Sequence, residues 1–355
     1  MVKRLFFRDK QPIGIDISQT GIKVMAINPK ALLVEGYGSV DLDPAKMQEA
    51  LESTDPASPF LTDSIKGLMR ENIVGSLPSN HAVIGVPASK AFTRTFTLPI
   101  EQEKKLSDAI EVEVGQYIPL PRNALYVDYE IIERRKKDLL VIMSALPKTI
   151  VDSTVHAVEN AGLRPVMVEP AINAVARMLK EYEGKNLTTL IVDIGQATTD
   201  IAILDNGAIR ISSGVNVGGN SFTIAISRHL SVTLENAHQL KVINGLMKSP
   251  RQAKLHEALS PSLLRITAEI RKILRYYKER VEQDSNIDQA LIVGAGSSLP
   301  GIGEFFTNDL VMPSRVASPW QRLDFGSLSQ PAKQFRPRYI SVSGLASVNQ
   351  TEMWK

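Results

Sequence analysis

Asp16 and Asp193 are the residues of this chain best placed to do chemistry. Each ends an apolar run and is followed by small polar residues, Ser18-Gln19-Thr20-Gly21 in one case and Gly195-Gln196-Ala197-Thr198 in the other. With Asp16 laid on Asp193, Ile17 falls on Ile194, Gln19 on Gln196 and Val24 on Ile201, so the chain reads as duplicated. A carboxylate at the end of a buried strand is costly unless a cation or hydrogen bonds compensate it. Turns of this composition can aim backbone N–H groups and hydroxyls at phosphate oxygens, and carboxylates beside them can hold a magnesium ion through its water shell. One such Asp alone reads as a turn former that bonds its own backbone. Two aligned copies favour a phosphate clamp with Asp16 and Asp193 near the metal. Lys23, on the returning strand, reads as a solvated edge residue and is left out of the expected site.

A third element, Leu291-Ile292-Val293-Gly294-Ala295-Gly296-Ser297-Ser298-Leu299-Pro300-Gly301, runs a strand into small residues. Its glycines permit close backbone approach to a flat ring or a phosphate. It lacks the third glycine of a dinucleotide fingerprint, and no Gly-x-x-x-x-Gly-Lys-Ser/Thr loop occurs in the chain. Five scattered histidines give no Ser/His/carboxylate set, and the absence of cysteine excludes disulfides, thiolate zinc sites and cysteine nucleophiles.

The elements that must position these residues are those of an α/β protein. At 355 residues the chain exceeds the ~250 to 300 at which single cores stop growing, so two domains are expected. Its 43% hydrophobic and 22% charged residues are those of a globular chain, and a net charge of +3 with scattered basic residues gives no case for nucleic acid. No apolar run approaches the ~18 residues of a membrane span. The opening residues, with Leu5, Phe6 and Phe7 between basic side chains, are too short for a secretory signal. They read as a leader packing on the first strand, with contact to anionic lipid or a partner as the alternative. A cytoplasmic location is the expectation.

Three antiparallel strands are predicted over residues 12 to 41 and three more at Leu190 to Ile194, Thr199 to Leu204 and Ala208 to Ser212, the last two joined by Asp205-Asn206-Gly207. Helical spacing runs from Pro44 to Asn72 with a break at Ser53 to Ser58, and His81 to Val86 is a short buried strand. Lys90 to Leu163 reads as an insertion: strand Phe92 to Leu98, helix Glu101 to Tyr117, strands Val127 to Glu133 and Leu139 to Leu146, helix Lys148 to Asn160. Helices are further expected at Ala171 to Tyr182, after Gly218-Gly219-Asn220, over Leu234 to Met247, and from a Ser260-Pro261 cap onward. Tyr339 to Val348 suits either strand or helix.

The strand–Asp–turn hairpin near the start, its copy at Ile191 to Ile201 and the late Val293-Gly294-Ala295-Gly296-Ser297 resemble the actin, sugar-kinase and heat-shock-chaperone ATPase superfamily. Within it the chain is similar to the PilM family of cytoplasmic type IV pilus assembly proteins, itself similar to the division protein FtsA. The shared features are Glu113-Val114-Gly115-Gln116-Tyr117-Ile118-Pro119-Leu120-Pro121 with Asp128, Ala161 to Pro165, Gly218-Gly219-Asn220, Glu269-Ile270-Arg271 before Tyr276-Tyr277, and Ser343-Gly344-Leu345-Ala346. Without the resemblance, Gln116 to Pro119 is a helix end and Gly218-Gly219 a loop before a helix.

The resemblance implies a duplicated two-lobed actin-like fold, related to ribonuclease H, with the inserted subdomain of PilM and FtsA and with ATP or ADP and magnesium between the lobes. Asp16, Ser18, Gln19 and Thr20 would form the first phosphate turn, and Asp193, Gly195, Gln196, Ala197 and Thr198 the second. Gly218, Gly219, Asn220, Gly294, Ala295, Gly296 and Ser297 would line the nucleoside, with Lys241 approaching sugar or base. Glu169, which otherwise reads as a helix-start carboxylate, would help position magnesium and water. Ser18 and His238 depart from the family pattern, which usually has glycine and glutamate there.

The domain boundaries so implied are 1–89 with 164–186 for the first lobe, 90–163 for the insertion, 187–240 with 286–355 for the second lobe, and 241–285 for a helical subdomain. The implied role is an ATP-binding scaffold with slow hydrolysis at most, peripheral to the inner membrane through the N-terminal tail of PilN held between first lobe and insertion. Other pilus platform proteins and ATPases, and self-association, are further implied contacts. The alternatives are an actin-fold kinase for a small molecule and an FtsA-like filament protein, the latter disfavoured because Asn349 to Lys355 is too short for an amphipathic membrane helix.

Overall fold

The computed structural model describes residues 11–53, 55, 59–183, 187–247, 253–281 and 286–349. The readings of Leu5 to Phe7 and of the chain beyond Asn349 lie outside them.

The first half opens with the expected antiparallel meander, β1 (Ile13–Ser18), β2 (Gly21–Asn28) and β3 (Leu33–Asp41). Helices α1 (Pro44–Glu52) and α2 (Pro59–Glu71) follow, α1 starting where the Asp43 carboxylate accepts from the N–H groups of Ala45 and Lys46. A short β4 (Ile73–Gly75) and β5 (His81–Val86) complete the unit, β5 running parallel to β1. The insertion contributes β6 (Phe92–Pro99), α3 (Leu106–Tyr117), β7 (Leu125–Arg134), β8 (Asp138–Pro147) and α4 (Lys148–Asn160). Then come β9 (Arg164–Pro170) and α5 (Ala171–Glu183).

The second half repeats the plan with β10 (Thr189–Ile194), β11 (Thr199–Asp205) and β12 (Ala208–Val215). After them come α6 (Gly219–Leu230), α7 (Leu234–Ile243), α8 (Ala253–Arg280), β13 (Gln289–Val293), α9 (Ile302–Leu310), β14 (Ser314–Val316) and α10 (Ile340–Ala346). Strand β13 lies parallel to β10 as β5 does to β1.

The sheets have the orders β4-β3-β2-β1-β5-β9 and β14-β13-β10-β11-β12-β6-β8-β7. Their isoleucine-rich central strands are buried on both faces because helices cover both sides. Each buried isoleucine contributes about 1.5–3 kcal/mol. Between the sheets lie α5 and α10, which share one core with Met25 and Ile27 of the first sheet and Ile191, Ala202 and Leu291 of the second. Gly14 of β1 admits this layer closely: a Cβ there would stand 2.6 Å from the Val342 carbonyl oxygen.

Packing corrects one expectation. Helix α8 begins at Ala253, so Pro261 lies inside it rather than at its start. Buried Leu255, Ala258 and Leu259 carry the apolar stripe upstream and outweigh the proline's missing N–H. Helix α4 packs on α1 and α2, and α10 packs on β1 and β5. The insertion's strands extend the second sheet: β6 joins β12, pairing Arg94 with Ile211 and Thr93 with Ser212.

Candidate functional site

The two hairpins share one register. Asp16 stands opposite Lys23 across β1 and β2, and Asp193 stands opposite Asp200 across β10 and β11. In the first copy the pair is an ion pair: Asp16 Oδ2 accepts from Lys23 Nζ at 2.9 Å and from Ser341 Oγ of α10 at 2.7 Å. Lys23 is only 9% exposed, which corrects its reading as a solvated edge residue. Strand β2 lies between β1 and β3, so it has no free edge.

In the second copy a carboxylate faces a carboxylate. Burial, reinforced by the charge of Asp16 and relieved in part by Lys23, pushes Asp193 up to about 7. Burial and the charge of Asp193 push Asp200 up to about 7, despite the N–H groups of Ala88 and Ser89 beside it. Asp200 Oδ2 accepts from Ala88 N at 3.2 Å, while its Oδ1 is buried with no hydrogen-bond partner. Neither Lys23 nor Asp200 was expected in the site. The alignment that sets Asp16 on Asp193 also sets Lys23 on Asp200, and that was the signal available.

The turns meet across the seam. Thr20 Oγ1 donates to Gln196 Oε1 at 2.7 Å. Each turn is also closed on itself, Ser18 Oγ donating to the Gly21 carbonyl at 2.9 Å and Gly195 N to the Thr198 carbonyl at 2.8 Å. Asp16, Ser18, Gln19 and Thr20 from one turn and Asp193, Gly195, Gln196, Ala197 and Thr198 from the other line one cavity. Lys23, Asp200, Gly294 and Ser341 line it with them.

A second cavity of about 390 Å³ shares Gly195, Gln196, Ala295 and Arg338 with the first, and adds Gly219, Asn220, His238, Lys241, Gly296 and Phe335. Gly294 lines the first cavity beside the shared Ala295; its φ is +84°, and a Cβ there would stand 2.1 Å from Asp193 Oδ1. Lys241 Nζ donates to the Gly219 carbonyl at 2.9 Å and to Thr223 Oγ1 at 2.8 Å, and burial lowers its pKa to about 8. Burial and then the Lys241 charge also hold His238 below its ordinary value.

Three expected residues line neither cavity. Ser297 turns its hydroxyl back to the Gly294 carbonyl at 2.7 Å, and Ser298 takes its place in the wall. Gly218 lies behind the wall, its N–H directed to Ser221 Oγ. Glu169 is buried in a two-pronged pair with Arg177 at 3.0 and 3.1 Å, which gives it a structural partner rather than a place at the phosphates.

Among the described residues no three His, Cys, Asp or Glu side chains are arranged to ligate a metal directly. Asp16, Asp193 and Asp200 act electrostatically on one another, and the unpartnered Asp200 Oδ1 is an acceptor without a donor. That donor set suits a hydrated cation held through water, with Asp16 already engaged by Lys23.

A profile of the family described as type IV pilus assembly protein PilM matches residues 14–349. The chain belongs to the PilM family. Among solved structures this PilM-family chain resembles a PilM-PilN type IV pilus biogenesis complex, with TM-score 0.77 and 22% identity over 96% of this chain and 98% of that one. It resembles ethanolamine utilization protein EutJ from Carboxydothermus hydrogenoformans at TM-score 0.55 and 15% identity, covering 96% and 90% of the two chains. It also resembles MreB5 of Spiroplasma citri bound to ADP at TM-score 0.52 and 13% identity, covering 96% of each. These likenesses establish the two-lobed actin-like α/β fold.

The chain is 25% identical to cell division protein FtsA of Neisseria meningitidis over 283 residues, 72% of this chain and 64% of that protein. Against FtsA of Bacillus subtilis it is 25% identical over 361 residues, 86% of this chain and 78% of that one. The chain thus spans just under two thirds of the Neisseria relative.

No helix among the described residues is long and apolar enough to cross a membrane.

Proposed function

We propose that this PilM-family chain is a nucleotide-binding scaffold of the type IV pilus assembly platform. The polyphosphate of ATP or ADP lies between the two hairpin turns, and the nucleoside fills the adjoining cavity beside Gly219, Lys241 and Gly296. The observation that carries this reading is the convergence of both duplicated turns and the Gly294-Ala295 bend on connected cavities at the seam. Asp16 and Asp193, with Asp200, would hold a magnesium ion through water, and the ion would neutralise phosphate charge. Lys23 supplies a positive charge beside the phosphates, and the turn N–H groups orient them. Asp200 accepts from the Ala88 amide, which ties the state of the phosphate cavity to the segment entering the insertion.

The partner reading is the N-terminal tail of a PilN-like inner-membrane protein, which would bring the chain to the membrane indirectly. Its support is a groove beside the insertion, lined by Asp128, Tyr129 and Glu130 of β7, by Asn173, Arg177 and Lys180 of α5, and by Leu204, Gly207, Ala208 and Ile209 at the β11–β12 turn. Strand β7 ends its sheet, so one row of its backbone groups is open to an extended peptide. The complex of PilM with PilN is the neighbour that suggests the partner.

Calorimetric titration with ATP, with and without magnesium, tests the nucleotide. Binding that needs magnesium and is lost in Asp16→Ala and Asp193→Ala, with little phosphate release, supports the scaffold. Rapid release only when a small acceptor is added would assign a kinase instead.

A further inference from the structure

We propose that the joint between β6 and β12 transmits the filling of the phosphate cavity to the insertion: nucleotide and magnesium beside Asp200 tighten the joint, and without them it loosens. The inference rests on the nucleotide reading above and names what that site regulates.

The joint is short. Thr93 with Ser212 and Arg94 with Ile211 are the ladder pairs of β6 with β12, whereas β6 pairs with β8 along its whole length from Phe92 to Pro99. A brief ladder between longer ones is where a sheet opens first. Side chains alternate along a strand, so Arg94 and Ile211 face one side and Thr93, Thr95, Arg210 and Ser212 the other. On that second side the packing is polar and incomplete. Thr95 Oγ1, Arg210 Nη1 and Ser212 Oγ are buried without a hydrogen-bond partner, and so are Ser89 Oγ and Asp200 Oδ1. The last two groups meet at Gly214 of β12, where a Cβ would stand 2.6 Å from Ser89 Cβ and 3.0 Å from Asp200 Oδ1. Each unpaired buried polar group costs free energy, and a row of them along one strand pairing makes that pairing easier to open. The weak joint thus reaches the carboxylate of the phosphate cavity.

The opposite side carries a latch. The Arg94 guanidinium lies between two rings, 3.4 Å from the centroid of Tyr117 of α3 and 4.2 Å from that of Tyr276 of α8. Arg94 Nε donates to the Tyr276 hydroxyl at 2.6 Å, and that hydroxyl donates to the Thr95 carbonyl at 2.8 Å. One side chain therefore holds both β6 and α3 of the insertion against α8, so loosening of the ladder does not release the insertion.

Asp200 works the joint from the cavity side. Its Oδ2 accepts from Ala88 N at 3.2 Å, and the 3-10 turn Ala88–Lys90 leads directly into β6. Beside a bound divalent cation Asp200 keeps its charged form. A hydrogen bond to a charged carboxylate is shorter and roughly twice as strong as one to a neutral acceptor. Ala88, and Ser89 with it, is then drawn onto β12.

Hydrogen–deuterium exchange on the full chain, with and without ATP and magnesium, tests this, with calorimetry on the same samples reporting binding. Amides of residues 88–95 and 209–215 are expected to exchange more slowly with nucleotide by on the order of tenfold, the difference between a neutral and a charge-assisted hydrogen bond. Those of β7, which pairs within the insertion, are expected to be unchanged. Ala88→Pro removes the donor to Asp200, and Pro87 before it already has ψ 126°, the extended backbone that a following proline requires. This variant is expected to bind ATP without the slowing. ATP binding with no slowing in wild type, with equal slowing in β7, or with slowing that survives Ala88→Pro overturns this inference and leaves the nucleotide reading standing. Should Ala88→Pro not fold, the wild-type comparison of the joint with β7 still decides. Absence of ATP binding overturns both readings.

Discussion

Thr20 on the first hairpin turn donates to Gln196 on the second at 2.7 Å, so the halves of the duplication touch where the proposed nucleotide phosphates would enter. A phosphate seated between the turns would take both groups away from each other. In the ligand-free chain Thr20→Val and Gln196→Met are expected to couple by about 1 kcal/mol in a double-mutant cycle on stability. With saturating ATP the coupling should fall to near zero. Denaturant unfolding of the four proteins, with and without nucleotide, checks this. Equal coupling in both states would mean the phosphates bind elsewhere.

Lys23 neutralises Asp16 where both are nearly out of water. Removing one member of such a pair leaves a buried charge, so Lys23→Met should cost about 3 kcal/mol. The double variant Lys23→Met with Asp16→Asn is expected to recover much of that loss, since no charge is left unpaired. Urea midpoints of the single and double variants decide it, and a single variant near wild type would show that the pair is not a buried one in solution.

Asp193 and Asp200 provide a pH dependence of the opposite sign to most carboxylates. Their folded values stand near 7, against about 3.9 for an unfolded Asp. Between those limits the folded chain holds more protons than the unfolded chain. Their contribution to stability is therefore favourable at low pH and is lost as pH rises from about 4 to about 7. Asp200→Asn removes one titrating group while keeping an oxygen for the Ala88 amide. The variant is expected to be more stable than wild type at pH 7.5, with the difference closing towards pH 4 in urea titrations. A gap independent of pH would refute the assignment.

The duplication and both acidic turns were legible in the sequence because strand–turn–strand patterning is local. So were the two meanders, the glycine bend at Gly294 and the helices of the insertion. Lys23 was misread although its meander was legible: β2 is the middle strand, and the ion pair that buries Lys23 against Asp16 is a cross-strand side-chain contact that propensity does not encode. Asp200 was passed over because its partner on the opposite strand is another acid, which no propensity encodes. Ser297 sits in a motif whose glycines do line the site, yet its hydroxyl closes the turn behind them, and only geometry separates it from Ser298. The start of α8 was misplaced for a different reason. Pro261 is a strong local signal, and the buried residues upstream that override it act through tertiary contacts.

Gly294 lines the first cavity next to Ala295, which faces both, and its backbone carries the constraint. At φ +84° a β-carbon is strained wherever it points, and here it would meet Asp193 Oδ1 at 2.1 Å and the Ile194 carbonyl oxygen at 2.6 Å. Backbone strain of this kind costs about 1–3 kcal/mol, and relieving the contact requires the Asp193 carboxylate to turn. Gly294→Ala is therefore expected to lower stability by about that amount and to weaken magnesium-dependent ATP binding further than the stability loss alone explains. Ala295→Ser is the control, since residue 295 faces both cavities without a positive φ. Thermal unfolding with ATP titration on both variants separates the outcomes. If Gly294→Ala loses stability yet binds ATP as wild type does, the carboxylate of Asp193 is not part of the nucleotide site.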